Sequence, residues 1–389
     1  MYIQNGLVFT AENRFAPLTI QTNGDSITSL IAPGIDCTLS DSTETVVDAS
    51  GCYVIPGLTD IHFHGCNGFD FCDNQLKAYE AIAEFCLNHG VTSMCPATMT
   101  LPASDLTHIC QTAADFHATQ QDGDSSTQAD LIGIHMEGPF ISIAKNGAQN
   151  KAYIQNPNSF LIRQWLNASR GLIKLISLAP ELPEALSCIC ELRNEVAFSV
   201  AHTDADYKTA KAAMDKGALH VTHLYNAMSP FHHRDTGVIG AAFDTKNCYV
   251  ELICDGIHIS APAVRAAFHL FENRIILISD SIRATGKPDG TYSLGGQNVT
   301  VKGRQTLLSD GTIAGSVTPL FECMKIAISM GVSLENAVAA ATINPCRYIG
   351  MDHLYGSIYP GKKAHFLLLD KKNLNLKYII KGSSIIKVP

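Results

Sequence analysis

Two histidines two positions apart, His62 and His64, close an apolar run in GLTDIHFHG. Side chains i and i+2 of a strand share a face, so the two imidazoles project together. Aimed at one point they repel when protonated, but they suit a divalent metal. On the dipeptide alone, a hydrogen-bonded polar pair at a strand end is the more ordinary reading. Four more residues bear on the choice. Glu137 ends LIGIHME, His202 ends VAFSVAH, His223 ends ALHVTH and Asp280 ends IILISD. Each has a plain explanation on its own, as a helix cap, a core histidine or a solvated carboxylate. Their recurrence at the same point of successive apolar runs does not.

Histidine and carboxylate ligands without a cysteine pattern point to zinc or another borderline divalent ion. An open coordination position on such an ion lowers the pKa of bound water to about 7, giving hydroxide at neutral pH. Asp280 is then the natural proton carrier between that water and a leaving group. The implied reaction is metal-assisted hydrolysis of an amide or ester.

The elements that must hold these residues follow from the alternation of apolar β-rich runs with helical segments over residues 56–354. VTSMCPATM, LIGIHMEGPF, LIKLISLAPE, VAFSVAHTDA, ALHVTHLYNA, CYVELICDGIH and IILISDSI read as strands. AYEAIAEFCLNHG, YKTAKAAMDKG and APAVRAAFHLF read as helices. Strand–helix alternation at this spacing implies parallel βα units. Close to eight strand candidates favour an α/β fold of the closed (β/α)₈, TIM-barrel type over an open sheet. In such a barrel the C-terminal strand ends converge on one mouth, where the βα loops build active sites. Residues 1–55 and 355–389 are β-like pieces broken by turn signals. Asn23-Gly24-Asp25 between two alternating runs is a hairpin signal. The two chain ends are expected to combine into one small β-sandwich domain. HATQQDGDSSTQAD is expected to be a polar loop.

Composition narrows the function classes. With 46% hydrophobic and 16% charged residues, the 389-residue chain is a compact globule rather than a disordered one. A net charge of −8 without basic tracts argues against nucleic acid and acidic membranes as partners. The thirteen cysteines are scattered, none in a CxxC pair, and Cys188 and Cys190 stand too close for an ordinary bridge. They read as reduced thiols. The opening MYIQNGLVFTAENRF lacks a signal-peptide pattern, and no apolar run is long enough for a membrane span. A cytoplasmic location is the expectation.

With the ligands placed, the sequence resembles the amidohydrolase superfamily and, within it, the N-acetylglucosamine-6-phosphate deacetylases. The matching stretches include PGLTDIHFHG, HMEGPFIS, THLYNAMSPFHHRDTGVIGAAF, CDGIHISAPAVR, SDSIRATGKPDGTYSLGG and DGTIAGS, and they cover nearly the whole chain. The resemblance implies that Glu137, His202 and His223 are the principal metal ligands and Asp280 the catalytic acid/base. It implies that Ala148, Gln149, Asn226 and Ala227 meet the substrate, that Arg234 and His258 meet its phosphate, and that Ile313, Ala314 and Gly315 line the sugar and acetyl pocket. Arg234 suits a bidentate grip on phosphate oxygens. Asp255 either orients the site or caps its loop. His62 and His64 permit a second ion, so one or two zinc ions are expected. A phosphate site shared between subunits would imply a homodimer.

Two departures stand out. KNGAQ has Gln149 where the family carries histidine; glutamine can donate a hydrogen bond but cannot carry a proton. His365 stands in PGKKAHF where an acidic residue is usual. The expected reaction is hydrolysis of N-acetylglucosamine 6-phosphate to glucosamine 6-phosphate and acetate. The alternatives are the galacto epimer of that substrate, a cyclic-amide hydrolase without a phosphate grip, and an inactive barrel kept as a binding protein.

Overall fold

In a computed structural model, residues 1–35, 45–123 and 125–388 are described. Eight parallel strand positions surround one axis. Leu58–Asp60, Val91–Met94 and Asp130–Leu131 form one sheet. Ala97–Thr98, Ile134–Glu137, Ile173–Leu178, Ala197–Val200, His220–Val221, Tyr249–Ile253 and Ile275–Ile278 form the other, in that order. The second and third barrel strands each span both sheets. Pro96, which has no N–H to give, interrupts the former. The hydrogen-bond circuit continues regardless: Cys95 N–H donates to Asp60 O at 2.8 Å and His135 N–H to Pro96 O at 2.9 Å. Past the strand ends the barrel closes through Asp280 N–H to His62 O at 3.0 Å and His64 N–H to Ser281 O at 2.7 Å. Closure therefore runs through the residues that carry the candidate ligands.

Helices wrap the barrel as the apolar spacing dictates. Leu76–Asn88 buries Ala78, Tyr79, Ile82, Ala83, Cys86 and Leu87, one stripe at three- and four-residue intervals. Tyr207–Lys216 and Ala261–Phe271 follow their strands as expected. The polar loop expected at HATQQDGDSSTQAD is a correction. Helix Ala103–Asp122 continues through its first six residues. Phe116 and Gln120 extend the buried stripe of Ile109 and Ala113, and the Gln120 amide spans Ala129 O and Leu131 N–H. A buried amide that satisfies two backbone groups favours helix over loop there. Asp124, in the same stretch, lies outside the described residues.

Both chain ends build a sandwich. A six-stranded sheet runs Ser384–Lys387, Leu376–Lys381, His365–Asp370, Cys52–Pro56, Leu7–Phe9, Phe15–Pro17, and a four-stranded sheet runs Ser26–Ile31, Thr19–Asn23, Tyr2–Gln4, Val46–Asp48. The expected hairpin joins Thr19–Asn23 to Ser26–Ile31. Strand His365–Asp370 is buried on both faces, and its period of two divides the work. Phe366 and Leu368 pack inside the sandwich with Ile3 and Ile20, while Leu367 and Leu369 join the barrel's core. Residues 36–44, and with them Cys37, lie outside the described residues; the twelve other cysteines are free thiols. No helix among the described residues is long and apolar enough to cross a membrane.

One element was not expected. Gly290–Leu294, Gln297–Lys302 and Gln305–Leu307 form an antiparallel three-stranded sheet after the last barrel strand. Its inner face buries Leu294, Val299 and Val301 against Met99 and Ile282 beside the barrel mouth.

Candidate metal centre and active site

Glu137, His202, His223 and Asp280 sit at or just past the ends of their barrel strands, with His62 and His64 opposite. His202, His223 and Asp280 have φ of 44°, 32° and 47°. The left-handed region costs a non-glycine residue about 1–2 kcal/mol. Here it turns each strand end so that the side chain faces the mouth. Gly315 (φ 62°) answers a different need: a Cβ there would lie 2.5 Å from Ile282 and 3.0 Å from Asp280 O. Its absence lets Ser316 N–H reach Asp280 O at 2.8 Å, fixing the backbone that presents the Asp280 carboxylate.

The six side chains converge, and Glu137 lies between two groups. Its Oε1 is 3.1 Å from His202 Nε2, 3.1 Å from His223 Nε2 and 3.3 Å from His62 Nε2. Its Oε2 is 3.2 Å from His64 Nε2. Asp280 Oδ1 is 3.4 Å from His64 Nε2 and 3.7 Å from His62 Nε2. Glu137–His202–His223 and His62–His64–Asp280 are each compact enough to hold one ion.

The tautomers agree with that use. His202 Nδ1 donates to Lys145 O at 2.8 Å, His223 Nδ1 to Asn226 O at 3.2 Å and His62 Nδ1 to Glu251 Oε2 at 2.9 Å. A neutral imidazole, the form that binds metal, keeps a lone pair on one nitrogen when it donates from the other. In all three, that lone pair is Nε2, facing the cluster. His62 Nε2 is fully buried and has no hydrogen-bond partner. A buried nitrogen left unsatisfied among carboxylates is costly unless a cation completes it.

The electrostatics carry the same message. Burial opposes charge on His64, yet the Asp280 and Glu137 carboxylates push it up to about 10. Burial likewise opposes ionisation of Glu137, but the imidazoles around it hold its carboxyl well below the usual range. Two carboxylates that force a proton onto a buried imidazole make a site that demands positive charge. The residues present fit a divalent metal.

The mouth holds a cavity of about 290 Å³, near the lower end for a small-molecule site. Ala148, Gln149, Asn226, Ala227, His258, Ile313 and Gly315 all line it beside the ligands. Ala314 points away, into the core under the three-stranded sheet. Asp255 caps its loop and also bonds the His258 ring. Its Oδ1 caps the N–H groups of Ile257 and His258 at 2.9 Å each, and its Oδ2 takes His258 Nδ1 at 2.7 Å. Arg234 lies outside this cavity, on an exposed loop, with its guanidinium 2.7 Å from His233 Nε2. Gln149 is occupied: its amide donates to Glu137 Oε2 at 2.6 Å and accepts from Thr100 N–H at 2.7 Å.

Beneath the ligands lies a polar floor that the motif reading missed. Asp60, His135, His220 and Glu251 point into the barrel, all buried. Ser177, Thr222 and Ser199 link His135 to His220 in an unbroken chain of contacts no longer than 2.9 Å. Asp60 and His135 stand two positions before His62 and Glu137, so the period of two that puts the ligands inward puts these inward too.

The matched family model is the amidohydrolase family, over residues 53–388. An N-acetylglucosamine-6-phosphate deacetylase of Bacillus subtilis (strain 168) is 38% identical over 319 residues, 81% of this chain and 80% of that protein. One from Vibrio furnissii is 32% identical, covering 85% and 82% of the two chains. The structure of N-acetylglucosamine-6-phosphate deacetylase from Pasteurella multocida superposes with a TM-score of 0.90 at 25% identity, over 99% of both chains. With its ligand-bearing barrel and its sandwich from both chain ends, the chain belongs to the amidohydrolase family.

Proposed function

We propose that this chain hydrolyses the N-acetyl amide of N-acetylglucosamine 6-phosphate, releasing glucosamine 6-phosphate and acetate. The observation that carries the reading is the convergence of four imidazoles and two carboxylates, three of the imidazoles with fixed tautomers, on a cavity of monosaccharide size. The deacetylases of B. subtilis and V. furnissii supply the substrate class.

Glu137, His202 and His223 would hold one ion, and His62, His64 and Asp280 would hold a second. The donor set favours zinc. When bound, such an ion polarises the acetyl carbonyl and acidifies water. The chain's own groups do the rest. Asp280, kept ionised by His64 and His62 despite its burial, accepts a proton from the attacking water and delivers it to the departing amine nitrogen. Asn226, Ala227 and His258 orient the sugar phosphate, while Ile313 and Leu294 wall off water on the apolar side. Arg234 meets the phosphate from a neighbouring subunit's loop, which is why we assign a homodimer. We place the reaction in the cytoplasm.

Acetate release from N-acetylglucosamine 6-phosphate by zinc-loaded protein tests this, with the galacto epimer and the unphosphorylated sugar alongside. Turnover is expected to be fastest for the phosphorylated gluco substrate. A faster galacto substrate would keep the chemistry and replace the substrate. Metal-loaded protein that releases acetate from none of them would end the deacetylase reading.

A further inference from the structure

Glu251 is a buried carboxylate under the mouth that neither lines the cavity nor takes part in either ligand grouping around Glu137. It stands in mid-strand, in YVELI, with no exposed surface. Burying a carboxylate costs several kcal/mol unless partners compensate. Its Oε2 has two partners, and each belongs to a different half of the centre. His62 Nδ1 donates to it at 2.9 Å, and so does the backbone N–H of His223 at 3.1 Å. Its Oε1 faces His220 Nε2 at 3.7 Å and His135 Nδ1 at 3.9 Å without a hydrogen bond. His135 Nδ1 is committed to Ile61 O at 3.2 Å, and its Nε2 to Ser177 Oγ at 2.8 Å.

We infer that Glu251 is a positioning residue that sets the second-ion half of the centre, by locking His62 as the Nδ1–H tautomer with its Nε2 lone pair aimed between Glu137 and Asp280. This rests on the two-ion reading above. Three features carry it. The tautomer of His62 is decided by its carboxylate neighbour, because an ionised carboxylate can only accept. The nitrogen left over is buried, unpartnered and within 3.3 Å of Glu137 and 3.7 Å of Asp280. Two divalent cations also exceed the charge of Glu137 and Asp280 together, and Glu251 adds one more buried negative charge an imidazole's width away. His64 has no such support, since its Nδ1 lacks a hydrogen-bond partner. The orientation of the HxH pair is therefore concentrated on His62.

Removing a carboxylate behind a metal-bound histidine typically weakens metal affinity or activity 10–100-fold. The test is zinc stoichiometry and stepwise affinity for metal-stripped wild type, Glu251→Gln and Glu251→Leu, by calorimetry and elemental analysis. The expected result is two ions in wild type, with the weaker step loosened about 10–100-fold in both variants and the tighter step, whose His223 meets Glu251 only through its backbone, changed less. Two ions in wild type with both steps unchanged in the variants would overturn the role of Glu251 alone. A single ion in wild type would overturn the two-ion reading and this inference with it. Nitrogen-15 NMR of histidine-labelled, zinc-loaded wild type needs no variant and covers the case in which neither one folds. It is expected to find His62 protonated at Nδ1, and protonation at Nε2 would refute the assignment.

Discussion

Asp130 and Glu137 are seven positions apart on one interrupted barrel strand, and both are buried carboxylates. Their surroundings differ in kind. Asp130, at the sandwich end, is answered by donors: Lys381 Nζ at 2.5 Å and Tyr355 OH at 2.9 Å. Lys381 in turn gives its remaining protons to Ser125 O and Gln128 O. Glu137, at the mouth, has one committed donor in the Gln149 amide and otherwise faces His202, His223 and His62, whose Nδ1–H bonds turn Nε2 towards it, with a second carboxylate close by. One carboxylate is satisfied by protein donors, and the other sits in a donor set that fits a cation. Burial and charge do not separate the two ends; the direction in which the donors point does.

The largest effect expected from this contrast is on turnover. Asp280→Asn removes the proton carrier while keeping shape, and loss of a positioned acid–base group costs about 10²–10⁴-fold in rate. Acetate-release kinetics would read that loss, and a thermal melt should show little destabilisation, because a repelling charge beside Glu137 has also gone. A variant that retains wild-type turnover would remove Asp280 from the mechanism.

At the other end the pattern reverses. Lys381→Met strands the Asp130 charge, which typically costs about 3–5 kcal/mol. Denaturant unfolding should show this, while kcat of the folded fraction stays at the wild-type value. Unchanged stability would mean that water reaches Asp130 and that the pair is not buried in solution.

The same region makes a smaller prediction with pH. Burial pushes the His365 imidazole down from 6.5 to about 4. The folded chain therefore stays neutral at His365 while the unfolded chain takes up a proton. Stability is unaffected above pH 6.5 and falls as pH drops from 6.5 towards 4, by at most about 1.4 kcal/mol per pH unit. Asp130 is displaced in the same direction but towards its charged form: burial opposes its charge, but His365 and Lys381 hold its carboxyl below the usual value. Its contribution is complete above about pH 4 and is lost only below it. The windows do not overlap. His365→Gln should flatten the pH 4–6.5 slope of the unfolding free energy relative to wild type, and an unchanged slope would place the titration elsewhere.

What the sequence revealed at each end follows from how local the signal is. The mouth was legible because each candidate ligand breaks an apolar run, and parallel βα units send all such breaks to one face. The sandwich strands were legible from turn residues, as at Asn23-Gly24-Asp25. The sheet from Gly290 to Leu307 was overlooked although Gly295-Gly296 between alternating runs is the same kind of signal. It buries one face only and inserts where a barrel helix is due. Glu251 was hidden for a different reason. A single glutamate in YVELI looks like the solvent side of a strand, and only closure of the barrel makes that side an interior. The Lys381–Asp130 pair joins residues 251 positions apart, and no local pattern encodes it.

Gln149 offers the finest discrimination, because it stands where the family resemblance calls for histidine. Its amide bridges Thr100 N–H and Glu137 Oε2, so it uses one acceptor and one donor, and a neutral histidine could in principle supply both. Gln149→His should therefore change kcat/KM by less than about tenfold, within about 1.4 kcal/mol. The informative readout is the pH profile. Glutamine has no proton to lose, whereas histidine titrates near pH 6.5 unless shifted. The variant should gain an ionisation in the neutral range that wild type lacks. If the two profiles coincide, position 149 is clamped on Glu137 in both proteins and never meets the reacting amide. If the variant gains both the ionisation and rate, a proton carrier at position 149 serves the reaction, and the Gln149 clamp on Glu137 is structural.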